Sequence, residues 1–471
     1  MKLRFIFAAT LVAATTAGTA WAQGQPWIQD RRYGEGIGIR TGNLELHPGV
    51  AGEIGYDSNY FQRSGGTPPG EQIIDVYRLR LTPSLSLSTL RPQRRQFDQA
   101  GAAQPSIQFD GGVSASYNEI IARDSEYSDE ASQQRDISAG ADFKLEILPH
   151  KPWGAYVEGD FLRTAEPSNE PDQEYAWDRD ALRLGAGVAW RPGGGLFDWR
   201  LGYEFRYNYF EAESYSQNNN VHHYVRTKGR WKFLPRTALV YDASLGFIRY
   251  SDNTYLNDST PVRSRLGLNG LVTNHFGFLA MVGWGASFYE STAGTPVQDY
   301  DSVIGQGEVK WYLQPQQKLP GDAARVGLST IAVGYIRNFR DSYLTDYYQY
   351  DRGYAKFDYF FAGVMLISAE AGYAHYTFPP PYFPAEPPLP AAPRNPPNGG
   401  YVQNRVDAKL FAEYRLSDTF GINTTLRYDA NLTEERVQRE RTAPPPPATP
   451  AADDELEFSR FQVYLGARWF M

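Results

Sequence analysis

The chain has 471 residues and no cysteine, with 46 Lys and Arg against 54 Asp and Glu for a net charge of −8. No basic stripe is present, which argues against a nucleic-acid partner, and the missing cysteine excludes a disulfide framework. A mean hydropathy of −0.51, with no apolar run of roughly eighteen residues after the first segment, excludes a helical membrane span; yet aromatic residues make up 15% of the chain.

Lys2 and Arg4 precede an apolar stretch from Phe5 to Ala17, and Ala20-Trp21-Ala22 supplies a small-x-small site before Gln23. The order of these three regions predicts a secretory signal peptide over 1–22, cleaved near Ala22, and not a membrane anchor. No lipoprotein cysteine follows it. Residues 23–43 are expected to form a short periplasmic segment, and 44–471 a single outer-membrane barrel with extracellular loops, the proline-rich 379–400 and 442–450 among them.

From Leu44 the chain alternates apolar and polar side chains in segments of the length a tilted strand needs to cross a bilayer. In the first, Leu44, Leu46, Val50, Ile54 and Tyr56 share one face and Glu45, His47 and Glu53 the other. About eighteen such segments follow one another. They begin with 44–56, 73–88, 105–121, 135–148, 153–165, 180–191 and 196–211, and continue with 222–234, 237–251, 261–273, 275–290, 300–314 and 324–340. The last five are 346–360, 363–377, 401–416, 419–432 and 457–471. The pattern predicts an all-β transmembrane antiparallel up-and-down β-barrel of about 18 strands, with 16–20 compatible.

The connections alternate in length. Short ones at 149–152, 192–195, 235–236, 274–275, 362–363 and 417–418 are rich in Pro, Gly, Asn and Asp, as tight turns require. Longer polar ones fall at 58–72, 122–134, 166–179 and 212–221. In outer-membrane barrels the short turns are periplasmic and the long loops external. One turn-side connection breaks this rule, the long 89–104 with Arg91, Arg94 and Arg95. Two loops are proline-rich, 379–400 and 442–450, and predict extended segments without a packed core.

The chain ends in Phe461-Gln462-Val463-Tyr464-Leu465-Gly466-Ala467-Arg468-Trp469-Phe470-Met471, with apolar side chains at every odd position. This close resembles the terminal strand of bacterial outer-membrane barrels. That resemblance implies an assembly signal in Gly466, Trp469, Phe470 and Met471, read by the barrel-assembly machinery. Such proteins usually end in Phe, and here Met471 follows Phe470.

No catalytic constellation is legible. The six histidines, His47, His150, His222, His223, His275 and His375, stand in no Ser-His or Asp-His pattern. No metal-ligand spacing or phosphate-cradling glycine loop occurs. The acidic loop Asp124, Glu126, Asp129 and Glu130 lacks the spacing of a calcium loop and reads as a solvated surface. No enzyme activity, cofactor or metal is expected.

What remains is the inner face. Alternation assigns to it Arg78, Arg80, Asp110, Asp142, Lys144, Glu158, Asp160, Arg183, Arg200, Glu204 and Arg206, and later Arg405, Asp407, Lys409, Glu413, Arg415, Arg427, Asp429 and Arg468. Charges in a dry core cost several kcal/mol each unless paired, so this density predicts a wet channel, which roughly 16–18 strands can enclose. Mixed signs argue against a single-sign ion filter.

The segment Leu46-His47-Pro48-Gly49-Val50 through Gly55-Tyr56-Asp57-Ser58-Asn59-Tyr60-Phe61 resembles the opening strand of a β-barrel porin family of bacterial outer-membrane proteins. Its members include barrels associated with exopolysaccharide secretion. The resemblance implies polysaccharide export across the outer membrane, with lipid, lipopolysaccharide and a periplasmic export protein as partners, the last meeting the basic 89–104 turn. Two other functions fit the sequence: a general or sugar-selective porin for uptake, which an inward-folded loop would favour, and a structural or adhesive barrel.

Overall fold

The computed structural model describes residues 38–65, 72–90, 105–164, 178–211, 213–252, 256–291, 297–313, 329–342, 345–361, 364–379, 400–433, 436–438, 453–455 and 457–471. The signal segment 1–22, residues 23–37, the basic stretch 91–104, the interior of the proline-rich loop 379–400, and all of 442–450 lie outside them.

Eighteen antiparallel strands form one closed sheet. They are β1 (Leu44–Asp57), β2 (Val76–Thr89), β3 (Ile107–Ala122), β4 (Asp136–Ile147), β5 (Trp153–Thr164), β6 (Arg179–Trp190) and β7 (Phe197–Phe210). Next come β8 (Asn220–Leu234), β9 (Thr237–Tyr250), β10 (Ser259–Leu271), β11 (Phe276–Tyr289), β12 (Tyr300–Tyr312) and β13 (Thr330–Asp341). The circuit is completed by β14 (Tyr347–Phe361), β15 (Met365–Phe378), β16 (Tyr401–Ser417), β17 (Phe420–Asn431) and β18 (Phe458–Phe470). Each pairs with its sequence neighbours, and β1 pairs with β18 from Gly49↔Phe470 to Asp57↔Gln462, so no edge is left in the ladder. Closure satisfies every strand without water, which is the condition for crossing lipid with β-structure.

The seam has one addition that alternation did not predict. Ile39–Thr41 pairs with Leu44–Leu46, filling the lane below the end of β18. The Met471 amide donates to the Pro48 carbonyl, and its own carbonyl accepts from His47 Nδ1 at 2.9 Å. A small two-stranded hairpin, Arg436–Gln438 with Asp453–Glu455, lies apart from the barrel sheet.

The outer face is apolar where a soluble protein would be polar: Ile54, Val282 and Val333 are 62%, 63% and 60% exposed. Trp153, Trp190, Phe197, Trp231, Phe276, Trp311, Phe361, Phe420 and Trp469 ring the end that carries the short turns. Trp153 stacks on Trp190 at 5.8 Å and Trp190 meets Phe197 at 5.4 Å. Tyr117, Tyr203, Tyr209, Trp284, Tyr335, Tyr373 and Tyr428 ring the other end. An apolar band between two aromatic girdles is the surface a bilayer selects. On the inner face, Tyr156 lies across Gly187 and Gly202 of the next two strands, where any Cβ would collide with its ring.

Two expectations need correction. The strand read at 324–340 begins at Thr330, so 313–329 is a second long connection on the turn side, beside 89–104. The second concerns the far end of β13, which leaves the wall together with Tyr347 and Tyr348, while β14 stays paired with β15 from Gln349↔Thr377 onward. β12 pairs with β13 only from Tyr312↔Thr330 to Gly305↔Arg337. β13 nevertheless continues along β14 to Asp341↔Tyr347, and β12 continues along β11 to Ser287↔Tyr300. The hairpin end therefore parts from β12 above Arg337 and folds inside the barrel.

Candidate functional site

The inner face is the candidate site. The strand register puts Arg78, Arg80, Asp110, Glu158, Asp160, Arg183, Arg200, Glu204, Arg206, Arg405, Asp407, Lys409, Glu413, Arg415, Arg427, Asp429 and Arg468 on the side opposite the exposed apolar residues of their strands. They do not share one environment. Where the sequence predicts a uniformly wet lining, the inner wall divides into a packed side at the seam and a more open side across from it.

At the seam, Asp57 is fully buried and holds Arg460 in a two-pronged contact, Nε to Oδ1 at 2.9 Å and Nη2 to Oδ2 at 2.5 Å. Gln462 Nε2 donates to the same carboxylate at 2.7 Å. Arg78 lies 3.8 Å from it and donates to the Tyr464 hydroxyl at 2.9 Å. Arg80 sits 3.9 Å over the Tyr464 ring. Tyr60, from the chain just after β1, roofs this group beneath Ile74 and Ile120. Nearer the turn end, Arg468 Nε donates to Glu413 Oε2 at 2.6 Å, and Arg415 lies 3.3 Å from the other oxygen. Ala51 and Phe411 pack together with Leu366 between these groups. Bidentate and aromatic partners let these charges stay dry, which hydropathy alternation cannot reveal.

Across the barrel the same chemistry is wetter. Arg183 reaches Asp160 at 2.5 Å, Glu158 at 3.3 Å and Glu204 at 3.6 Å. The Asp160 and Glu158 side chains remain 31% and 32% exposed. Glu204 also takes Arg206 at 2.6 Å and Arg226 at 3.1 Å. On β14, Arg352 joins Asp407 at 2.6 Å and Glu370 at 2.9 Å, and Tyr354 donates to Glu308 at 2.8 Å.

One inner-face feature went unread in the sequence. Arg226, Lys228, Arg230 and Lys232 alternate with Val225, Thr227, Gly229 and Trp231 along β8, placing four cations in a column on the inner side. The period-two signal is plain there and names the column directly. Lys228 and Arg230 make no ion pair among the described residues. Of the histidines, His222 faces inward and contacts Asn220 at 2.6 Å, whereas His223 points outward onto Tyr203. Asp124 accepts from the Glu126 amide and caps a 3-10 turn. No group of three or more metal-ligating side chains occurs among the described residues.

The folded-in end of the β13–β14 hairpin is the second element of the site. By alternation Phe339 belongs outside with Val333 and Tyr335. Instead it is fully buried, its ring stacked 4.2 Å from Tyr300, with Ile304 and Tyr347 alongside. The hairpin thus crosses the inner face of β12 and reaches β10 and β11. Arg263 Nη2 donates to the Phe339 carbonyl at 2.9 Å. Asp341 accepts from Ser259 Oγ at 2.6 Å and from Tyr289 OH at 3.0 Å. At the tip, Asp346 accepts from Asn257 Nδ2 at 2.7 Å and the Gln298 amide at 2.9 Å. Burial, with Asp299 and Asp341 nearby, pushes the Asp346 carboxyl above its ordinary range despite these bonds. On the side of the hairpin facing the axis, Tyr348 packs with Tyr350, Tyr376 and Phe378. The hairpin end and the paired charges thus line the inner face with fixed donors and acceptors.

No family model matches the chain, and no curated protein matches it. Several solved structures are similar in outline. OpdK from Pseudomonas aeruginosa, crystallised with vanillate, has TM-score 0.44 at 11% identity, over 90% of this chain and 99% of that one. A BenF-like porin from Pseudomonas fluorescens has TM-score 0.43 at 10% identity, over 91% and 99%. OccAB3 from Acinetobacter baumannii has TM-score 0.41 at 9% identity, over 90% and 99%. Scores this low carry no argument about solute or direction; the closed eighteen-strand ladder itself establishes the fold.

Proposed function

We propose that this protein is a passive outer-membrane channel admitting small polar solutes, the uptake porin of the alternatives above. The observation that carries this reading is the β13–β14 hairpin folded across the inside of the barrel. A conduit for a hydrated polymer needs an unobstructed bore, whereas here a hairpin end packs against the inner face of β10, β11 and β12. The apolar band and its girdles support residence in a bilayer, and the secretory-signal pattern read in the sequence of 1–22 favours the outer one. Lumen charges that are already paired stay in place as solutes pass, offering the weak, repeated contacts that conduction requires. The less-committed cations of the β8 column favour solutes carrying negative charge.

The test is conductance of the refolded protein in a planar bilayer, with liposome swelling in small sugars and in long polysaccharides. Small, steady conductance and swelling limited to small solutes would uphold the reading. A large conductance blocked by acidic or neutral polysaccharide would restore polysaccharide export, and a folded but silent protein would favour a structural barrel.

A further inference from the structure

The parting of β13 from β12 leaves a strand edge whose natural occupant is identifiable. Continuing the last observed pair, Gly305↔Arg337, brings Asn338 opposite Ile304, Phe339 opposite Val303, Arg340 opposite Ser302 and Asp341 opposite Asp301. In that arrangement Phe339 would lie beside Val303, which is 59% exposed on the outer face, so its ring would enter the apolar surface. Both positions of the hairpin thus offer Phe339 an apolar environment. The backbone of the folded-in position has substitute partners: the Phe339 amide donates to Asn338 Oδ1 at 2.9 Å, and its carbonyl accepts from Arg263. One feature weighs against the wall position: Asp341 would stand opposite Asp301, and like charges directly opposed on a sheet are unfavourable.

We infer that residues 338–341, with Tyr347 and Tyr348 beyond the last β14–β15 pair, form a two-position gate: folded in, they narrow the passage; raised, they pair with β12 and widen it. The inference rests on the channel reading, and two bistable packings of one element are the usual basis of such switching. The hinge is the Gly305–Arg337 pair, below which β12 and β13 stay joined in both positions. Arg263 is a positioning residue for the folded-in state, through the Phe339 carbonyl and the cation placed 4.0 Å over the same ring.

The natural chain has no cysteine, so paired cysteines report position without interference. Ser302→Cys with Arg340→Cys can close only in the raised position, and Ser259→Cys with Asp341→Cys only in the folded one. Both would be assembled in vesicles, oxidised, and scored by mass after alkylation, then recorded in bilayers. The gate predicts that both pairs oxidise, that the first raises conductance several-fold until reduced, and that the second holds it at its low level. A first pair that stays reduced while the second closes fully overturns the inference, as does closure of both with identical conductance. Should either pair fail to assemble, Arg263→Leu serves instead. It adds time in a higher conductance level if the gate exists, and an unchanged record counts against it. Because crosslinking is read by mass, closure of both pairs in a protein that never conducts would sink the channel reading, and the gate with it, while leaving the hairpin's two positions standing.

Discussion

Arg460 and Asp57 carry the sharpest consequence of a single substitution. Both are buried, and their two-pronged contact spans the β1–β18 seam. Removing Arg460 takes away the two-pronged partner and leaves the buried Asp57 only Arg78 at 3.8 Å and Gln462, so Arg460→Ala should destabilise the barrel by about 3 kcal/mol. Urea unfolding in vesicles, followed by heat-modifiable gel mobility, measures it; Asp57→Asn with Arg460→Gln should recover much of the loss. On the open side, Lys228→Glu with Arg230→Glu should leave stability nearly unchanged and lower the preference for anions. Reversal potentials across a salt gradient would register that change. The β8 column was legible, because its four cations stand at strict period two. The seam's dryness was not, because Arg460, which closes on Asp57, comes from β18, 403 positions along the chain, and the pattern within one strand cannot report it.

For whole strands the alternation was nearly sufficient. Most predicted ends fall within about two residues of those found, because each strand keeps one face for lipid and one for the interior, and a one-residue slip would reverse both. Val333 shows how strictly the outer face is held: it is paired with Val309, both outward and exposed. Val333→Arg should cost about 2–4 kcal/mol at this depth, whereas Val333→Leu should be neutral, by folding yield in lipid vesicles. The alternation misled at β13. Phe339 and Asp341 continue the parity of Val333 and Tyr335, so nothing in the local pattern reports a hairpin that leaves the wall. Its tip has its own pH response. A carboxyl raised above its ordinary range in the folded tip binds its proton more readily there than when released. The docked tip is therefore favoured as pH falls toward the usual carboxylate range and weakened as pH rises through the raised value of Asp346. Conductance should decline on acidification, and Asp346→Asn should flatten that dependence.

At the scale of the molecule, closure depends on the last strand. Deleting residues 458–471 would leave β1 and β17 as open edges, exposing backbone groups that lipid cannot satisfy. The truncated chain should accumulate outside the membrane as protease-sensitive material, measured by fractionation. A chain carrying only Trp469→Ala should still close, since that ring faces outward and joins no buried contact of the seam.

Pairing of the first strand with the last also fixes an order in time. Asp57 and Arg460 are separated by 403 positions, and a contact this remote in sequence forms late, because the loop it closes takes in nearly the whole chain. Synthesis cannot release a partly closed cylinder. The newly exported chain therefore has a lifetime during which its greasy faces are written but not yet hidden, and it is exposed to aggregation throughout. Survival of that interval depends on how fast a chaperone engages it, so loss of periplasmic holdases should lower the yield of this protein more than any single lumen mutation does.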